Sequence, residues 1–298
     1  MKNIIVTGAN GFIGSSLIKK LIAKDVNVIA IDITFETPHI PESNRIIRIA
    51  SDLSDMNALM GMIPENNYDA FYHFAWQGVN GPSKADPLIQ NNNISMMLRC
   101  AGVASKLGCK KFLCSGTIAE RAVESLPHLE KVGGGMMYGA AKHCAHIMLE
   151  TYCKNIGLDF VWMQFSNIYG PENKTGNIIS YTVGQLKKGE EASFGPAKQP
   201  YDLIYVEDLI EAVSRLGDVE NPENFYFIGS GTPRILGDYL LITGRSAGHE
   251  ELIKLGARPD DGIVYRKDMF DISKLVKDIG AYVSGSFEEL IKYTIENY

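Results

Sequence analysis

Residues 7–14 read Thr7-Gly8-Ala9-Asn10-Gly11-Phe12-Ile13-Gly14. The run follows a short apolar stretch, Asn3–Val6, and leads into a helical pattern, Ile13–Lys24. Glycines at 8, 11 and 14 allow a tight turn and let a diphosphate come close to backbone amides. The start of the following helix adds free N–H groups and a positive dipole end. Strand, glycine turn and helix in that order give this motif its meaning. Gly8, Asn10, Gly11, Phe12, Ile13 and Gly14 are therefore expected to hold the phosphates of a dinucleotide.

The second strand pattern, Val26–Ile31, runs to Asp32. An acid at that distance accepts hydrogen bonds from the adenosine ribose. Ile33 and Thr34 follow, with no arginine for a 2′-phosphate, which favours NAD over NADP. Asp52 and Leu53 come after the third strand pattern, Ile46–Ile49, where a side chain can meet adenine. Further strands are expected at Ala70–Phe74, Lys111–Cys114 and Phe160–Gln164, with helices at Met56–Ile63, Leu88–Leu107 and Tyr138–Asn155. Strands alternating with helices predict an α/β fold, a doubly wound parallel sheet of Rossmann type. After Pro171 the segments shorten. The reading is a dinucleotide-binding domain over residues 1–170 and a smaller substrate-binding lobe over 171–298. Some segments at about 200–230, notably Phe225–Ile228, return to the first domain.

The chain's 298 residues are 45% hydrophobic and 21% charged, as in a globular protein. Its net charge of -6, without a block of like charge, argues against nucleic acid as a partner. No apolar run is long enough to span a bilayer, and the N-terminus lacks the plan of a signal peptide. Five cysteines without a C-x-x-C pair fit reduced thiols and a cytoplasmic location. His143 and His146 lack an evident third ligand, so they read as a surface pair and no metal is expected.

Tyr138-Gly139-Ala140-Ala141-Lys142 puts a phenol and an ammonium on one face of a helix. A neighbouring cation and a positively charged nicotinamide would both lower the pKa of the phenol toward working range. Ser115-Gly116-Thr117 follows the fifth strand, at the carboxyl edge where ligands bind. Thr117 is the candidate partner of Tyr138 on the substrate oxygen, with Ser115 in support. His73 reads as packed near the cofactor. Gly133-Gly134-Gly135 suggests a mobile lid, with Met136 or Met137 touching substrate.

At these residues the sequence resembles the extended short-chain dehydrogenases, the NAD-dependent epimerase/dehydratase family, over essentially its whole length. Thr7–Gly14 is similar to the family's T-G-x-x-G-x-x-G, and Tyr138–Lys142 to its Y-x-x-x-K. His73-Phe74-Ala75-Trp76 resembles H-x-A-A, with Trp76 in place of the second small residue. Asn93 falls where the family has an Asn early in its fourth helix. Phe165–Pro171 resembles F-N-x-Y-G-P, and Phe194–Asp208 a later block that ends R-D-x-x-Y-V-x-D. The resemblance implies that Phe74, Ala75, Asn93 and Ser115 join the cofactor site with Tyr138 and Lys142. It places Trp76, Thr117, Asn167, Asn177, Phe194, Tyr201 and Arg258 at a nucleotide-sugar substrate. Arg258 suits the diphosphate. Tyr201 stands where the family usually has a second diphosphate-binding arginine. By the same resemblance the two long helices form a homodimer interface.

Family members that eliminate water carry an Asp-Glu pair directly after the catalytic Thr. Ile118-Ala119 follows Thr117 here, which argues against a dehydratase. An NAD-dependent nucleotide-sugar epimerase is the first reading, with a keto-sugar reductase as the alternative. Both use Thr117, Tyr138 and Lys142. A non-catalytic dinucleotide sensor on the same fold is the third reading, and retention of all three residues argues against it.

Overall fold

The computed structural model describes every residue except Lys131, Lys174 and Thr175. Its centre is a seven-stranded parallel sheet. The strands are β1 (Asn3–Thr7), β2 (Asn27–Asp32), β3 (Ile46–Ala50), β4 (Ala70–His73), β5 (Lys111–Thr117) and β6 (Asp159–Phe165), with the later β11 (Phe225–Ile228). Four short strands lie in sequence between β6 and β11: β7 (Asn167–Tyr169), β8 (Ala192–Ser193), β9 (Pro200–Tyr201) and β10 (Leu203–Tyr205). They form two-stranded pieces beside the main sheet, two of them with β12 (Arg234–Ile235) and β13 (Ile253–Lys254).

β1 is apolar on both faces because both faces are covered. Ile4 and Val6 join a cluster with Val28, Leu113, Val161 and Leu17, whereas Ile5 joins one with Ile29, Phe71, Phe112 and Trp162. Helices α1 (Phe12–Ile22) and α7 (Val206–Asp218) pack together in the first layer. In the second, α3 (Pro87–Lys106) packs on α5 (Gly134–Ile156). The smaller α2 (Met56–Met62) and α4 (Ala119–Ala122) lie on that second side.

The strand order is β11-β6-β5-β4-β1-β2-β3. Connections leave β1 toward β2 on one side, and the chain then returns to build β4, β5 and β6 on the other. Between β1 and β4 the order reverses, and that opens a crevice at the carboxyl edge of the sheet. β11 comes from the C-terminal half and pairs in parallel with β6, Phe225 opposite Trp162 and Ile228 opposite Phe165.

Two expectations about local structure are corrected. Ser115–Thr117 belong to β5 rather than following it, because β6 continues the ladder to Phe165 opposite Thr117. Gly134 and Gly135 form the first turn of α5 behind the N-cap Gly133, so they are helix and not loop.

Candidate active site

The glycine turn joins β1 to α1. Gly8 has φ +67, and a Cβ there would sit 2.7 Å from the amide nitrogen of Ala75. A Cβ on Gly14 would overlap the carbonyl oxygen of Gly8. Both clashes are with backbone, which cannot swing aside, so the cradle requires glycine. Gly11 caps α1 without a side-chain bond, and no acid lies in the first turn. The helix end therefore keeps its amides and its dipole for an anion.

Asp32 ends β2 with one carboxylate oxygen accepting the Asn10 amide at 2.8 Å and the other the Ile33 amide at 2.7 Å. The Asn10 side chain braces the following loop, donating to the carbonyls of Thr34 and Thr37 and accepting from the amide of His39. The Asp52 carboxylate accepts from the Ser54 hydroxyl and amide, and these bonds hold it below the ordinary carboxylate range. Leu53 adopts φ 62, a left-handed conformation unusual for its side chain. Asn10, Asp32, Asp52 and Leu53 line one cleft of about 600 Å³, which runs from Gly8, Phe12 and Ile13 past Phe74 and Ala75 to Ser115, Thr117, Tyr138 and Lys142.

A second cavity continues from the far end of that cleft. It is lined by Thr117, Ile118, Ala119, Met136, Tyr138, Asn167 and Tyr265. Thr117, Tyr138, Asn167 and Lys84 border both spaces. The second space is thus joined to the first at the acid–base residues.

Lys142 is buried at 2% exposure. Its ammonium donates to the Ser115 carbonyl at 2.7 Å and lies 3.9 Å from the centre of the Trp76 ring. Tyr138 meets the same indole edge-on, with ring centroids 6.0 Å apart. Burial pulls the pKa of Lys142 down, and the negative charge of Glu120 pushes it back up. For Tyr138 the expectation of a lowered pKa is corrected. Burial and then the Glu120 carboxylate push the phenol up, against a hydrogen bond from Thr117 that works the other way. His73 is fully buried and does not border the cleft; burial and the nearby ammonium hold it neutral, at about 3.

A sequence profile described as "NAD dependent epimerase/dehydratase family" matches residues 4–229. The chain belongs to that family. A probable UDP-arabinose 4-epimerase 3 of Arabidopsis thaliana is 25% identical over 93% of this chain and 76% of its own length. A UDP-glucose 4-epimerase of Mycolicibacterium smegmatis is 26% identical over 76% of this chain and 77% of its own. Among solved structures, a UDP-N-acetylglucosamine 4-epimerase from Methanobrevibacter ruminantium, in complex with UDP-N-acetylmuramic acid, superposes with a TM-score of 0.81. It is 22% identical and covers 99% of this chain and 97% of that one. The likeness to that structure concerns the fold.

As a member of the NAD-dependent epimerase/dehydratase family the chain is an enzyme of the extended short-chain dehydrogenase/reductase type, and its cofactor is NAD. The residues present fit that cofactor. The glycine cradle excludes any side chain where the diphosphate approaches, and Asp32 stands at the end of the neighbouring strand with no arginine after it.

Several residues expected at ligands lie elsewhere. Asn93 is buried on α3 and does not border the cleft. Its amide clamps the backbone of Gln77, accepting from the amide and donating to the carbonyl at 2.8 Å each, so it shapes the loop after β4. Trp76 borders the dinucleotide cleft and not the second cavity. Its indole donates to Gln90, which aims the ring across Lys142. Tyr201 borders neither of these cavities; it packs edge-on against Tyr265 with centroids 6.1 Å apart. Asn177 borders the cleft but its amide caps helix α6 (Ile178–Lys187) and donates to Ile168. Phe194 and Arg258 do meet, in a third cavity, where Arg258 donates to the Tyr181 hydroxyl at 2.9 Å. Met136 borders the second cavity, whereas Met137 is exposed. His143 and His146 are not a surface pair: His146 stacks on Trp162 with centroids 4.8 Å apart and planes 2° from parallel. Among the described residues no group of three His, Cys, Asp or Glu could hold a metal, and no helix is long and apolar enough to cross a membrane.

Two residues escaped the sequence reading. Lys84 carries its ammonium 5.2 Å from the centre of the Tyr138 ring. Glu120, behind Thr117, is 2% exposed. No spacing or motif marks either one.

Proposed function

We propose that this chain is an NAD-dependent epimerase of nucleotide-linked sugars, working as a cytoplasmic homodimer. One observation carries the reading. Thr117 and Tyr138 border both the dinucleotide cleft and the second cavity, so a sugar placed in the second would meet them beside the nicotinamide end of the first. The 4-epimerases of UDP-sugars among the relatives, aligned over most of their length, support it.

NAD held in the cleft would supply reversible hydride acceptance, so an overall isomerisation would use no redox equivalent. Tyr138 takes the proton of the hydroxyl on that carbon and later gives it back. Thr117 hydrogen-bonds the same oxygen and holds it against the phenol. Lys142 supplies a fixed positive charge that favours the phenolate when the site is filled. Arg258 and Phe194, in the third cavity, are placed to grip the diphosphate and base. Elimination of water is disfavoured. The two residues after Thr117 that border the second cavity, Ile118 and Ala119, bring only carbon to it, and the carboxylate of Glu120 turns away.

The test is to incubate the purified protein with UDP-glucose, UDP-N-acetylglucosamine or UDP-arabinose without added cofactor. The epimeric sugar should form with no net change in NADH absorbance. Net oxidation of added NADH or NADPH, with no interconversion, would instead identify a reductase.

For the dimer, α3 and α5 pack side by side and leave Leu88, Ile147 and Met148 exposed. A second copy would cover them in a four-helix bundle. Ile147→Glu together with Met148→Glu should convert the sedimenting species from dimer to monomer. A wild-type protein that already sediments as a monomer at assay concentration would remove the dimer from this reading.

A further inference from the structure

Glu120 sits in α4 directly behind the acid–base residues, and every atom of its carboxylate is engaged. One oxygen accepts the backbone amide of Thr117 at 2.6 Å. Trp162 Nε1 donates to both oxygens, at 3.2 and 3.1 Å, and Gln164 Nε2 donates to the second at 3.1 Å. Gln164 is in turn fixed by Arg121, whose Nε donates to it at 3.1 Å. Three donors making four hydrogen bonds to one buried carboxylate are a built arrangement and not a stray surface acid.

The backbone is shaped around it. A Cβ on Gly116 would overlap Trp162 Nε1 and lie 2.7 Å from Glu120 Oε1, so residue 116 must be glycine for the carboxylate and the indole to meet. A Cβ on Gly139 would overlap the Ala119 carbonyl, so Gly139 lets α5 approach α4. Two small residues on two different elements thus leave the volume that this carboxylate and its helix occupy.

The charged and titratable groups that face Glu120 come from several elements. On α5 they are the buried ammonium of Lys142 and the phenol of Tyr138. Behind β6, His146 stacks on the Trp162 ring, and burial keeps it neutral, at about 4. Cys114 on β5 is a buried thiol raised well above its usual value by burial, and it neighbours Lys142 rather than Glu120. Arg121 reaches Glu120 only through Gln164, and its guanidinium also pairs with the exposed Glu124 at 3.7 Å. The Lys142 ammonium lies 5.9 Å from the centre of the Trp162 ring whose Nε1 donates to Glu120, so Lys142 is the cation that faces this carboxylate alongside the neutral donors.

We propose that Glu120 is a positioning residue and the internal counter-ion of the catalytic set: it fixes the backbone of Thr117 and keeps the buried Lys142 in its ammonium form. This rests on the epimerase reading for its assay, but its main readout is a shift along the pH axis and not the identity of the sugar. Glu120 does not border either cavity, so it touches neither cofactor nor substrate.

The signs follow from the charges. Burial pushes the Glu120 carboxyl up to about 7, and above that pH its negative charge raises the pKa of Lys142 and that of Tyr138. Removing the charge lowers both. The alkaline limb of activity, set by loss of the Lys142 proton, then moves to lower pH.

The experiment measures kcat and kcat/KM against pH for the holoenzyme, for Glu120→Gln and for Glu120→Asp, with retained fold checked by thermal melting. In Glu120→Gln the alkaline limb should move acidward by about one pH unit. Its kcat should fall ~10- to ~100-fold, as for a misplaced supporting group, with KM nearly unchanged. Glu120→Asp keeps the charge and loses reach, so its kcat should fall while its limbs stay in place. A folded Glu120→Gln with the wild-type profile would overturn the proposal. If the Gln variant does not fold, Glu120→Asp carries the test alone: wild-type kcat, or displaced limbs, would overturn it. If no sugar is turned over by the wild-type protein, the epimerase reading fails, and the pH dependence of Lys142 labelling by an amine-reactive probe still tests Glu120: its midpoint should move acidward in Glu120→Gln, and an unmoved midpoint would overturn the proposal.

Discussion

Replacing Tyr138 by phenylalanine is expected to lower kcat between about 10²- and 10⁴-fold, the range of a positioned acid–base group. The fold and the bound NAD should be retained. The ring that meets Trp76 edge-on is the same in phenylalanine, and only the hydroxyl is lost. The acid limb of the pH profile should disappear with it, because that limb belongs to the phenol. Burial and Glu120 both hold this hydroxyl above its ordinary range in the protein alone. A positive nicotinamide beside it would bring it toward neutral pH. Activity in Tyr138→Phe should thus be low and flat with pH, while absorbance of released NAD matches wild type. Turnover within tenfold of wild type would remove Tyr138 from the proton-transfer role.

Gly14→Ala should be the most damaging single methyl group in the chain. Its Cβ would overlap the carbonyl oxygen of Gly8 and lie 2.9 Å from the Gly8 carbonyl carbon and 3.0 Å from the Ala9 Cα. All three atoms are backbone, so the strain opens the turn instead of rotating a side chain. Overpacking of this kind costs about 1–3 kcal/mol. For a domain of this size each kcal/mol lowers Tm by about 2–4 °C. The larger loss is in the cofactor, because the turn that opens is the surface that receives the diphosphate. Thermal melts with and without added NAD read both effects. The variant should melt several degrees lower and show no upward shift with NAD. A melt coincident with wild type, with the NAD shift intact, would contradict this account of the cradle.

These two positions also mark what a reader of the sequence can see. Gly14 and the Tyr138–Lys142 pair are defined by spacing within one turn and one helix, and local geometry gives them their meaning without the rest of the molecule. The alternation of strands and helices is local in the same sense, which is why the parallel sheet was legible along with most of its strand positions. Asn93 was not legible as a clamp, because its partner is the backbone of Gln77 in another segment. Tyr201 faces Tyr265, far along the chain, and nothing near residue 201 announces that contact. His146 looks like a surface residue until β6 brings Trp162 beneath it. Glu120 is the sharpest case. No motif or spacing marks the glutamate directly after Ile118-Ala119, and its inward turn depends on a glycine in β5, an indole in β6 and a glycine in α5. Side-chain direction set by three separate elements leaves no periodic trace.

β11 gives the molecule one more property. The strand that closes the sheet beyond β6 is made of residues 225–228, so a nascent chain cannot complete its sheet when residue 170 leaves the ribosome. Until about sixty more residues emerge, β6 is a bare hydrophobic edge carrying Phe160, Trp162 and Phe165. During that interval the unfinished protein presents an adhesive strand to its surroundings, and a chaperone that shields extended apolar segments would find its binding site there.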